Sequence, residues 1–138
     1  MSQDKTEIDL SIVIPVFNGS ATITKLVDEI VKLDLGEPIE IILVNDGSSD
    51  KSSEICQNII KTALIPITFI KFTKNFGENN AILAGMREAL GNFIVTMADD
   101  LQHSPKDIPK LVSLARNRNF DVVYSLFDKK YYPWYRNL

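Results

Sequence analysis

Residues 11–17 read Ser-Ile-Val-Ile-Pro-Val-Phe and residues 39–44 read Ile-Glu-Ile-Ile-Leu-Val. Both runs are short and almost continuously apolar, which suits strands of a sheet covered on both faces. Working outward, ITFIKF (67–72), NFIVTM (92–97) and DVVYSL (121–126) read as three further strands. Between them, apolar residues recur at helical spacing: Ile23, Leu26, Val27, Ile30 and Val31; Ile55, Ile59 and Ile60; Ile82, Met86 and Ala89; Ile108, Leu111, Val112 and Ala115. The resulting βαβαβαβαβ order predicts a three-layer α/β/α architecture, Rossmann-like, with a mostly parallel sheet and right-handed crossovers.

The bulk properties agree with one globular unit. A chain of 138 residues can bury roughly 70% of its unfolded surface, enough for a real core. The formal net charge of −3 argues against a nucleic-acid partner, which a basic surplus on one face would announce. An acidic site that recruits a cation fits better. Cys56 is the single cysteine, so no internal disulfide forms and a buried structural thiol is the default. Neither a signal-peptide pattern nor a run of 18 apolar residues occurs, so the chain as given reads as soluble; its expected location is cytoplasmic.

In doubly wound sheets ligands bind beyond the carboxyl ends of the strands. The residues there are Asn18, then Asn45 and Asp46, then Lys74 and Asn75, then Asp99, Asp100, Gln102 and His103. In VTMADDLQHSP (95–105) two adjacent carboxylates repel each other and call for a cation or a hydrogen-bond network. If the segment stays extended, Asp100 and Gln102 share one side and Asp99 points away. A carboxylate and an amide oxygen are hard donors suited to Mg²⁺ or Mn²⁺, whose remaining ligands come from water and substrate phosphates. The plainer reading is that Asp99 and Asp100 cap the next helix and face water.

The other loops carry the same double reading. Asp46 sits in a Gly-containing turn and can meet the N–H groups of a nucleobase or shape an Asx turn. Pro15 marks a bent strand end, and Asn18 can start a helix. Lys74 and Asn75 precede a helix whose free N–H groups favour anions, although a solvated lysine is the commoner case. His103, the lone histidine, is equally a capping residue or a ligand. Ser104, Pro105 and Asp107 spell a helix start, and Ser49 or Asp50 can cap the helix after NDGSSD.

Taken in order and spacing, SIVIPVFN, VNDGSSD, KNFGENNAILAG and MADDLQHSP resemble the nucleotide-sugar half of family 2 glycosyltransferases with the GT-A fold. The likeness runs from about Ser11 to Val123 and is greatest to the branch that moves a sugar onto a polyprenyl phosphate, such as the dolichol-phosphate mannose synthases. The resemblance implies an inverting, metal-dependent transferase of cell-wall or polysaccharide biosynthesis, using a nucleotide-diphosphate sugar and Mg²⁺ or Mn²⁺. It implies that Pro15, Val16, Phe17 and Asn18 line the nucleotide pocket and that Asp46 contacts the base. Lys74, Asn75 and Gly77 would lie along the diphosphate and sugar, with Asp99 beside them, and the family's Asp-x-Asp element with its glutamine maps onto Ala98, Asp100 and Gln102. Three positions depart from the pattern: Ala98 replaces the first metal-binding carboxylate, Gly19 an acidic residue, and Asn45 the first of two aspartates.

The resemblance also implies that residues 1–126 form the nucleotide-sugar half-domain and residues 127–138 the start of an acceptor or membrane-proximal segment. The 138 residues then read as an amino-terminal, truncated part with little turnover of its own, and the full-length protein as one at the cytoplasmic face of a membrane. FDKKYYPWYRNL (127–138) mixes Phe127, Tyr131, Tyr132, Trp134 and Tyr135 with Lys129, Lys130 and Arg136, which suits a membrane interface or a lipid phosphate, or packing against a further half of the domain. Two rival readings are a non-catalytic nucleotide-sugar-binding or regulatory module, suggested by Ala98, and a flavodoxin-like phospho-acceptor domain. The second fits less well because its acidic pair follows the first strand, whereas here the pair follows the fourth.

Overall fold

The computed structural model describes residues 7–125. Four strands form one parallel sheet in the order β3-β2-β1-β4: β1 is Leu10–Val16, β2 Ile39–Asn45, β3 Ile67–Lys71 and β4 Phe93–Thr96. The helices are α1 (Ile23–Val31), α2 (Ser52–Thr62), α3 (Glu78–Glu88) and α4 (Ile108–Arg118), with a 3-10 turn at Pro105–Asp107 leading into the last. The residues divide into two compact units, one ending at Ile108 and one beginning at Pro109. The expected boundary between residues 126 and 127 lies outside the described residues.

The two strands with continuous apolar runs occupy the centre of the sheet, where both faces are covered; every residue of β1 and all but Ile39 of β2 are buried. Crossovers from β1 to β2 and from β2 to β3 run one way across the sheet, and that from β3 to β4 runs back. With right-handed connections α1 and α2 therefore cover one face and α3 the other. Helices α1 and α2 touch, and α3 packs on β1 and β2. On the α3 side Val13, Ile42, Val44 and Ala81 form a buried cluster joined by Ile70 and Phe72. Ile23, Leu26, Val27 and Ile30 are the buried stripe of α1, following the helical spacing of the sequence.

The expected fifth strand does not form: Asp121–Ser125 make no ladder, and Leu126 lies outside the described residues. Val122 and Tyr124 are 64% and 81% exposed. A β-rich composition makes a strand only where its N–H and C=O groups find a paired neighbour. Ser104 behaves as expected, its hydroxyl accepting from the Lys106 amide with Pro105 directly after it.

At the amino end of the sheet Glu40, 3% exposed, lies opposite Ser11 in the β1–β2 register. Its Oε1 accepts from the Ser11 hydroxyl at 2.6 Å and from the Leu90 amide at 2.7 Å, while the Ser11 oxygen accepts from the Gly91 amide at 2.8 Å. This network ties the α3–β4 connection to the sheet centre. A buried donor stripped of its acceptor is costly, so Glu40→Ala is expected to destabilise the fold by on the order of 2–4 kcal/mol. Glu40→Gln, which keeps an acceptor oxygen, should lose clearly less. Urea unfolding of the two variants checks the difference; equal losses would mean that the network contributes little.

Candidate functional site at the carboxyl ends of the strands

The site begins with an interrupted ladder. Along β1, residues of odd number face β4: the Asp9 and Val13 carbonyls accept from the Phe93 and Met97 amides. By that alternation Pro15 should donate next toward Met97, and it has no N–H. The register between β1 and β4 ends at Val13 and Thr96, whereas that between β1 and β2 continues to Val16 and Asn45. The two strands part there, at the point where the strand order reverses, which is where open α/β sheets hold ligands. The next donor on that side, the Phe17 amide, gives its hydrogen bond to Asp99 Oδ2 at 3.1 Å.

The remaining loops are tied together by side chains that reach across to main-chain amides. Asn18 adopts φ 50°; its amide donates to Ser48 Oγ (3.0 Å) and its Oδ1 accepts from the Ser49 amide (2.9 Å). Asp50 accepts from the Ser20 amide (3.1 Å) through one oxygen and from the Ser52 amide at the start of α2 (2.9 Å) through the other. Asp46, 2% exposed, accepts from the Phe76 amide at 2.7 Å. The loops are thus joined in the same sequence as the strands beneath them, third to second to first to fourth.

Two glycines permit this closeness. Gly47 has φ 68°, and a Cβ there would overlap the Lys74 carbonyl carbon and the Asn75 nitrogen. A Cβ on Gly19 would overlap the Asp99 carboxylate, a physical reason for glycine at the position where the resemblance led one to expect an acid.

The expected residues fall as follows. Pro15 lies within β1 and Phe17 is 50% exposed just beyond it. Asn18 bridges two loops instead of starting α1, which begins at Ile23 after Thr22. Lys74 is exposed, its Nζ 5.1 Å from the centre of the Phe76 ring. Asn75 Oδ1 accepts from the Gly77 amide, and Gly77 (φ 95°) precedes the first turn of α3. Asp100 and Gln102 are exposed, and Asp100 Oδ1 accepts from the Gln102 amide at 3.0 Å. The extended alternation expected for this stretch does not hold: the chain turns at Asp99 and Asp100, and Leu101 has φ 58°. Asp100 and Gln102 are brought together by an Asx turn, not by a shared strand face.

Among the described residues no group of three or more His, Cys, Asp or Glu side chains is gathered to cage an ion. An exposed carboxylate beside an exposed amide fits a cation that keeps water and takes phosphate oxygens, as Mg²⁺ and Mn²⁺ do. Sequence reasoning missed the cross-loop roles of Ser48, Asp50 and Phe76; the Asp-x-Ser pattern ahead of α2 was the available signal for Asp50.

Electrostatics separates the acids. Burial pushes the Asp99 carboxyl above its ordinary 3.8, the Phe17 amide opposes that, and the charges of Asp100 and Glu78 add to the rise. Burial also acts upward on Asp50, but hydrogen bonds from Ser52 and Ser20 outweigh it and bring the group to about 2. Burial, with the nearby charges of Asp99 and Asp50, raises the Cys56 thiol to about 11, which leaves it inert as a nucleophile.

The two acids give opposite linkage. Asp50 contributes stability above pH 3.8 that is lost as pH falls toward about 2. Ionised Asp99 costs stability, and the cost disappears as pH falls through its raised value toward 3.8. Asp99→Asn, which keeps an acceptor for the Phe17 amide, should therefore melt at or above the parent at neutral pH, with the gap closing on acidification. Melting curves from about pH 3 to about pH 7 test this; parallel profiles for parent and variant would contradict it.

Comparison with known proteins shows the family and the fold. The sequence matches Glycosyl transferase family 2 over residues 11–137. An undecaprenyl-phosphate 4-deoxy-4-formamido-L-arabinose transferase of Edwardsiella ictaluri (strain 93-146) is 33% identical over 99% of this chain and 42% of its own length. One from Pseudomonas aeruginosa (strain LESB58) is 39% identical over 86% of this chain and 36% of its own length. The chain thus spans less than half the length of these relatives. Among solved structures, mannosyltransferase PcManGT from Pyrobaculum calidifontis in complex with GDP-Man and Mn²⁺ superposes with a TM-score of 0.70 at 20% identity, over 80% of this chain and 33% of that one. S. aureus TarS 1-349 in complex with UDP-GlcNAc gives 0.67 at 17%, over 81% and 32%. These likenesses show the GT-A fold.

Proposed function

The chain belongs to glycosyl transferase family 2, and from that membership we propose that it is the nucleotide-sugar-binding part of a transferase that moves a sugar from a nucleotide-diphosphate sugar to a polyprenyl phosphate. The observation that carries this reading is the stitched rim: four loops tied by Asn18, Asp46, Asp50 and Asp99 at the carboxyl ends of the strands, where the β1–β4 ladder stops. The names of the relatives support an undecaprenyl-phosphate acceptor, and the ligands named with the structural neighbours support a nucleotide sugar and a divalent ion.

In this reading Phe17 and Asn18 face the nucleotide, and Asp46 reaches the base through the oxygen not held by the Phe76 amide. Lys74, Asn75 and Gly77 follow the diphosphate, with Asp99 holding the first loop in place. Asp100 and Gln102 would hold Mg²⁺ or Mn²⁺. A bound divalent ion neutralises charge on the leaving diphosphate, an effect worth several kcal/mol. An acceptor phosphate oxygen forms a bond to the anomeric carbon as the bond to the nucleoside diphosphate breaks, inverting that centre. Being anionic already, a phosphate needs less help from a base than a sugar hydroxyl. The whole protein would work at the cytoplasmic face of a membrane; among the described residues no helix is long and apolar enough to cross one.

Calorimetry with UDP and with GDP in the presence of Mn²⁺ tests the reading. One of the two should bind and raise the melting temperature, since binding to the folded form adds stability. Asp100→Ala should lose most of the Mn²⁺-dependent part while folding normally. Binding of neither nucleotide would overturn the reading, and an unchanged Mn²⁺ dependence in Asp100→Ala would remove that residue from the ion site.

A further inference from the structure

Phe76 is held on every side and yet half open. Its amide donates to buried Asp46 at 2.7 Å, its carbonyl accepts from Asn80 Nδ2 at 2.7 Å, and its ring meets Phe72 edge-on with centroids 5.6 Å apart at 89°. The residue nevertheless remains 49% exposed, and Lys74 Nζ lies 5.1 Å from the centre of its ring. An apolar side chain left in water would ordinarily turn inward, but the main chain on both sides of this one is pinned. Asp46 lies directly after β2 and Asn80 in the first turn of α3, so the pin connects the ring to the sheet and to the helix that packs on it.

We propose that Phe76 is a positioning residue: its ring face fixes the Lys74 ammonium on the loop after β3 so that the cation is already placed for the diphosphate of the nucleotide sugar. The proposal rests on the nucleotide-sugar reading above. A lysine carries four rotatable bonds and loses much freedom when it binds an anion. Attraction to the negative face of an aromatic ring restricts that freedom in advance. An ammonium is compact and has three donors, so contact with the ring on one side leaves N–H groups for phosphate oxygens on the other.

The test is a double-mutant cycle read as nucleotide affinity, using whichever of UDP and GDP binds the parent in the presence of Mn²⁺. Phe76→Leu keeps apolar bulk next to Phe72 but removes the ring face. It should weaken nucleoside-diphosphate binding about two- to fivefold, the factor that an exposed cation–ring contact represents, with the melting temperature of the free protein little changed. Lys74→Met should weaken binding more. With Lys74→Met already present, Phe76→Leu should have no further effect on affinity, because its action passes through the lysine. The matching nucleoside, which has no phosphate, should bind all four proteins equally. Equal losses from Phe76→Leu with and without Lys74, or tighter binding by Phe76→Leu alone, would overturn the proposal. Absence of nucleotide binding by the parent would instead strike the reading on which it rests.

Discussion

The head of the candidate site depends on one missing hydrogen. At Pro15 the central strand can no longer donate toward β4, so a ladder that runs from Leu10 to Val13 stops while its partner on the other side continues to Val16. Past Val13 the central strand lacks one donor toward β4, and the regular ladder ends there. What the main chain cannot supply a side chain does: Asp99 takes the Phe17 amide and keeps the two loops at a fixed spacing. A half-buried carboxylate serving a backbone amide is an expensive brace, and its raised affinity for a proton reflects that expense.

The other loop contacts follow the same rule, in which an acid or amide side chain on one loop accepts from the main chain of the next. Main-chain amides have little freedom to move, so such bonds fix loop position more tightly than pairs of long side chains do. The result separates two kinds of polar residue. Asn18, Asp46, Asp50 and Asp99 each spend at least one oxygen on the main chain of a neighbouring loop, whereas Lys74, Asp100 and Gln102 are exposed. In the proposed function the first set would hold the loops in place and the second would meet the charged substrate, a division that favours fixed placement.

How much of this could be read from the residues alone follows from which forces are local. The continuous apolar runs of β1 and β2 announced a sheet covered twice, and helical spacing found the four α-helices of the described residues. Residues 121–125 misled because valine and tyrosine report a tendency to extend, whereas a strand also needs a partner, and among the described residues none pairs with them. At the site, the residues read as following the strands lie in the connecting loops except Asn45, which is the last residue of β2. The strand-end rule could not tell which would turn inward, because that depends on contacts some 30 or 80 residues apart in sequence, as for Asp46 with Phe76 and Asp99 with Phe17. The Asp99–Gln102 stretch was expected to be extended, but the positive φ of Leu101 is set by the turn and not by any preference of leucine.

Gly19 and Asp99 occupy adjoining space to the point that a single added carbon on one would coincide with the carboxylate of the other. These two positions, 80 places apart along the chain, therefore draw on a single volume and cannot vary independently. Any side chain introduced at the first must expel the second from its seat on the Phe17 amide, so an acid arriving at position 19 would be tolerated best where position 99 has become small.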